Sequence, residues 1–184
     1  MGLRDLLASQ ARPVEPDSTM PLPQVTYVPE GPYEFVVEVA TDYRAVETRF
    51  ISPEIRLSDA LNSSVPTVEV DAVEGLPLPG APQGAIISKA SVLYMVPLAE
   101  PERPRGALWR VTAKHHIWLA IGPYEIAGII HLDVGVDPLV ALRLLDRTFV
   151  PITEARIEHT SGAVADYDVV LINRERAAIL ALSD

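Results

Sequence analysis

From Tyr33 onward, apolar and polar side chains alternate along YEFVVEVA (33–40), the period-two pattern of a strand with one buried face. Thr41-Asp42 offers a two-residue turn, although it lacks the glycine such turns favour. YRAVETRFI (43–51) alternates again, so the two segments predict a hairpin. Pro53 suits the first turn of a helix, and Ile55, Leu57 and Leu61 give PEIRLSDALN (53–62) a short apolar stripe. Pro66 ends that segment, and TVEVDAVE (67–74) returns to strict alternation. A loop rich in proline and glycine follows, from Gly75 to Gly84. AIISKASVLYMV (85–96) then reads as one long strand or a bent pair.

The same order recurs in the second half. HHIWLAI (115–121) is a strand, Gly122-Pro123 a turn, and YEIAGIIHL (124–132) a strand. PLVALRLLDRT (138–148) predicts a helix with Leu139, Leu142 and Leu145 inward, and VPITEARIEH (150–159) a strand. SGAVAD (161–166) is a turn, and YDVVLINRERAAILAL (167–182) the closing pair. Sliding the chain by 85 residues sets Pro53 on Pro138, Leu57 on Leu142, Val65 on Val150, Pro66 on Pro151, Glu69 on Glu154 and Ile87 on Ile172. A slide of 81 aligns the hairpins, with Tyr43 on Tyr124, and Asp133–Val136 absorbs the difference of four. An internal duplication is the reading. Its units are residues 33–97 and 114–184, joined by a connector (98–113) that Pro101 and Pro104 interrupt.

Residues 1–32 read as a flexible tail. Leu3, Leu6 and Leu7 share one helical face, but a helix of that length is marginal alone in water. Six prolines from Pro13 to Pro32 then favour an extended chain. The leucine triplet is the candidate contact with a protein partner.

The expected fold is therefore mainly β. Two small, strongly bent sheets, or partial barrels, each carry a short helix and follow a proline-rich N-terminal tail. In the first unit Arg56-Leu57-Ser58-Asp59-Ala60-Leu61-Asn62 matches an "LSDxLN"-like helix. In the second, Val169-Val170-Leu171-Ile172-Asn173-Arg174 matches a "VhVNRxxIhhh"-like closing strand. On these residues the chain resembles a small bacterial Sm-like domain family of unknown function, over residues 33–97 and 114–184. The resemblance implies a tandem of Sm-like folds, a tendency to form rings and, in the Sm proteins themselves, RNA held by loop residues. Here the Asp…Asn pair of the first Sm motif is missing. The Arg-Gly of the second motif is replaced by Asn173-Arg174 and by Ser88-Lys89.

Composition narrows the chemistry. Cysteine is absent, which removes disulfides, thiol nucleophiles and cysteine-ligated metals. The net charge of −10 opposes general attraction to phosphate backbones. No apolar run approaches the ~20 residues of a membrane span, and the start lacks a signal-peptide core, so a cytoplasmic protein is expected. No nucleophile elbow, phosphate-binding glycine loop or H-E-x-x-H motif occurs. His115 and His116 are neighbours on a strand and point to opposite faces, while His131 and Asp133 lack a third ligand. No catalytic, cofactor-binding or metal-binding residue is therefore expected, and no cofactor.

The leading expectation is a non-enzymatic assembly or adaptor protein that forms a homo-oligomer and takes a protein partner. Nucleic acid is the weaker alternative. It would use Asn173, Arg174 and Arg176, helped by Arg103, Arg105, Arg110 and Lys114 beside Trp109. A third possibility is a small-ligand pocket between the units, lined by Trp109, Trp118 and Tyr124.

Overall fold

The computed structural model describes residues 32–73, 84–99 and 111–182. Leu3, Leu6 and Leu7, the tail to residue 31, and Arg103, Arg105, Trp109 and Arg110 of the connector lie outside the described residues. The first half runs β1 (Tyr33–Thr41), β2 (Ala45–Ser52), α1 (Leu57–Asn62), β3 (Thr67–Val73), β4 (Ala85–Ser88), a 3-10 turn (Lys89–Ser91) and β5 (Val92–Ala99). The second runs β6 (Thr112–Ile121), β7 (Tyr124–Asp133), α2 (Pro138–Leu144), β8 (Phe149–His159), β9 (Val164–Asn173), a 3-10 turn (Arg174–Arg176) and β10 (Ala177–Leu182). All ten strands lie in one open antiparallel sheet, ordered β10-β6-β7-β8-β9-β5-β1-β2-β3-β4.

Each half contributes its strands in the same spatial order, with its last strand placed before its first. The two 3-10 turns stand 85 positions apart (89 to 174). The hairpins correspond at 80 positions rather than the expected 81. Ala40 pairs with Tyr94 and Val39 with Met95, as Ala120 pairs with Ile179 and Leu119 with Leu180. Tyr43 therefore matches Pro123, not Tyr124, and the difference between the two offsets is five residues instead of four.

Alternation explains the strands. Phe35, Val37 and Val39 of β1 face inward, as do Ile117, Leu119 and Ile121 of β6. The β1–β2 turn is longer than expected: Ala40 pairs with Ala45, leaving four residues between them. Without glycine, the Thr41 hydroxyl organises the turn, donating to the Arg44 carbonyl at 3.1 Å and accepting from the Tyr43 amide at 3.3 Å. The second helix ends at Leu144, short of Thr148. Asp137 caps it by accepting from the Val140 amide at 3.0 Å, and Pro138 opens it. That start turns Ala141, Leu142 and Leu145 to the core and leaves Leu139 exposed, contrary to expectation.

Two apolar cores result, and each borrows from the other half. Phe149 and Leu171 of the second half complete the core around Phe35, Leu57 and Leu61. Ala40, Leu93, Tyr94 and Val96 of the first half enter the core around Ile117, Leu119 and Ile152. A bulge bends β8 against β7. Glu154 holds a left-handed φ of 52°, and Gly128 lies opposite, where a Cβ would sit 2.9 Å from the Thr153 carbonyl oxygen and 3.2 Å from the Ala155 Cα.

Candidate functional site

The halves meet where β5 and β9 pair, Tyr94 with Ile172 and Met95 with Leu171. Around this short ladder, polar side chains tie one half to the other. Asn62, at the end of α1, acts like a strip of backbone. Its Nδ2 donates to the Phe149 carbonyl at 2.8 Å, and its Oδ1 accepts from the Phe149 amide at 2.9 Å. Asn173, buried at the end of β9, donates to the Val92 carbonyl at 3.0 Å and to the Lys89 carbonyl at 3.3 Å. Arg176 grips both carboxylate oxygens of Asp42 at 2.6 Å.

A phenol cluster sits on the same seam. The Tyr94 hydroxyl donates to Glu38 Oε1 at 3.3 Å, and the Tyr94 ring meets Tyr124 edge-on at 5.0 Å. Tyr124 in turn packs edge-on against His159 at 5.0 Å. Three strand steps separate β7 from β5, about 14 Å in a flat sheet. A ring contact at 5.0 Å therefore requires the sheet to curl here. Burial raises Tyr94, Tyr124 and Tyr167 above the ordinary tyrosine range, and the Glu38 carboxylate adds to each shift by disfavouring a phenolate. The cluster thus holds neutral phenols that donate hydrogen bonds. It does not supply a phenolate base or nucleophile near neutral pH.

Beyond Met95 and Leu171 the two strands splay. A cleft of about 430 Å³ opens between them, lined by Val96, Pro97, Leu98 and Ala99 on one side and Asp166, Tyr167, Asp168 and Val169 on the other. It carries no buried charged group to orient a ligand. Of the aromatics expected to line a pocket between the halves, Tyr124 lies at the seam. Trp118 sits between inward-facing Ile117 and Leu119, so it faces the opposite side of the sheet.

The residues proposed for nucleic acid are committed inside the chain. Arg174 Nε donates to the Arg147 carbonyl at 2.7 Å and Nη1 to the Leu142 carbonyl at 3.4 Å, which satisfies the end of α2. Lys89, its counterpart 85 positions earlier, does the same for α1. Its ammonium donates to the Ala60 carbonyl at 2.9 Å and to the Ser63 carbonyl and hydroxyl at 3.1 and 3.0 Å. Burial lowers the Lys89 pKa. Asn173 and Arg176 belong to the seam, as described. Sequence reasoning matched the first of these to a family motif and missed its seam role, because its partners lie 81 and 84 residues away.

His131 is held between hydroxyls, 2.9 Å from Thr153 and 3.4 Å from Thr112. His159 Nδ1 accepts from the Ser161 amide at 3.1 Å. Among the described residues, no three His, Asp or Glu side chains converge as a metal site. No described helix is long and apolar enough to cross a membrane. Comparison with protein-family models, with curated proteins and with solved structures found nothing that matches the chain.

Proposed function

We propose that the protein is a non-enzymatic assembly module, two Sm-like units that arose by duplication and are fused in one chain. The observation that carries this reading is the joint itself. The fourth strand of one half (β9) pairs with the last strand of the other (β5), and each half orders its strands identically. Such a joint is head-to-tail, because the two surfaces that meet are different, and a head-to-tail contact leaves one copy of each surface unused. A homo-oligomer is the natural product of such a chain, and a protein partner would then meet a repeated surface.

RNA binding through Asn173, Arg174 and Arg176 is the weaker reading, since those side chains already bond within the chain. The net charge of −10 also opposes it. Size-exclusion chromatography with light scattering tests the leading reading. A mass of several chains at micromolar concentration is expected, and a strict monomer would overturn it. An RNA mobility shift at low salt that weakens steeply with added salt would favour the alternative instead.

A further inference from the structure

We infer that one chain joins the next through the outer edges of β4 and β10, in the register that β9 and β5 use within a chain. This partner, a second copy of the same protein, rests on reading the chain as two equivalent units. Among the described residues nothing pairs with the outer side of β4 or of β10, which end the sheet. Edges of natural sheets are usually blunted by charge, proline or a bulge that prevents further pairing. Here AIIS of β4 and AAILAL of β10 contain neither charge nor proline, in a chain with 40 Asp, Glu, Lys and Arg residues. The irregularity of β10 between Ala177 and Ile179 matches one in β5 between Val92 and Tyr94 that does not stop β5 from pairing with β9.

The 85-residue correspondence names the contacts. Leu171 and Ile172 of β9 match Ile86 and Ile87 of β4, and Tyr94 and Met95 of β5 match Ile179 and Leu180 of β10. The ladder Met95–Leu171 and Tyr94–Ile172 thus translates into Leu180–Ile86 and Ile179–Ile87 between chains.

Burial follows the same logic residue by residue. Met95 and Ile172 lie in the core of their own half, and their counterparts Leu180 and Ile87 are likewise packed on the core of their own half. Leu171 and Tyr94 each enter the core of the opposite half and are 3% exposed. Their counterparts Ile86 and Ile179 have no opposite half to enter, and are 70% and 54% exposed. The two isoleucines left in water are thus the two that a neighbouring chain would cover.

The absence of native cysteine makes the register directly testable. Directly opposed residues of an antiparallel pair have Cα atoms within disulfide reach. A chain carrying both Ile86→Cys and Leu180→Cys should form a ladder of disulfide-linked chains under mild oxidation. A Val134→Cys/Val164→Cys control, exposed but away from both edges, should not. Ile86→Lys, at a position exposed in the single chain, should leave the melting temperature of the monomer unchanged. It should weaken self-association at least about 100-fold. Light scattering on the same samples separates the failures. Oligomers that neither cross-link nor respond to Ile86→Lys would overturn this register while leaving the assembly reading in place. A monomeric parent chain would remove both.

Discussion

Asn62→Ala is the sharpest probe of how the halves are held together. Asn62 makes two hydrogen bonds to the backbone of Phe149, whose ring is fully buried in the core of the other half. Truncation leaves the Phe149 amide without its partner, at about 1–3 kcal/mol for an orphaned, desolvated donor. Loss of the bond to the carbonyl adds roughly 0.5–1.5 kcal/mol. A total near 2–4 kcal/mol is a large part of the 5–15 kcal/mol typical of a domain. The assay is urea unfolding, followed by tryptophan fluorescence and by circular dichroism. Because the cores exchange Phe149, Leu171, Leu93 and Tyr94, the two signals should move together to a lower midpoint with an unchanged slope. A loss below about 0.5 kcal/mol, or two separate transitions of which one alone shifts, would refute the reasoning.

Other substitutions test neighbouring parts of the structure. Gly128→Ala places a methyl against the backbone of Thr153 and Ala155, which cannot rotate away, so a thermal melt should show a loss of about 1–3 kcal/mol. Glu154→Gly should be neutral or stabilising by up to about 1 kcal/mol in the same melt, since it relieves a left-handed φ and forfeits only an exposed ion pair with Lys114. Lys89→Arg should keep stability within about 1 kcal/mol, because Arg174 already plays that part in the second half, whereas Lys89→Met should cost about 1–3 kcal/mol in denaturant unfolding. In alkali, the raised pKa values of Tyr94, Tyr124 and Tyr167 mean that the unfolded chain ionises first. Stability from this cluster is therefore complete below pH 10.0 and falls above it. Phenolate absorbance should show these tyrosines titrating late, and Glu38→Gln should bring them back toward the ordinary range.

Strands were legible because alternation alone decides which face is buried, as in Phe35-Val37-Val39 and Ile117-Leu119-Ile121. Details that depend on one hydrogen bond were not. The four-residue turn at Thr41–Arg44 follows from a hydroxyl that binds the Arg44 carbonyl, and the orientation of Leu139 from an Asp137 cap that sets where the helix begins. The bulge at Glu154 leaves no trace in PITEARIEH, since a local left-handed residue does not interrupt the apolar count. Tyr124 was expected with Trp109 and Trp118 as the lining of a pocket between the halves, but it reaches the seam as a ring packed on Tyr94. The other seam contacts were not legible, because the Tyr94–Glu38 bond spans 56 residues and the Arg176–Asp42 pair spans 134. Pairing of strands distant in sequence, β1 with β5 and β5 with β9, brings such positions together. The free isoleucines look like ordinary strand residues in sequence. They become distinctive once their matched positions in the other half are found buried.

The exchange of Phe149 and Leu171 into the first core also has a consequence for synthesis. A ribosome that has released residues 32–99 has made every described strand of the first half, yet two of the side chains that fill its interior remain to be translated. The 72 residues from Ala99 to Leu171 take roughly 4 to 14 s at 5–20 residues per second. During that interval the nascent first half carries an unfilled hollow and unpaired strand edges, so it is the stage at which a chaperone would be most needed.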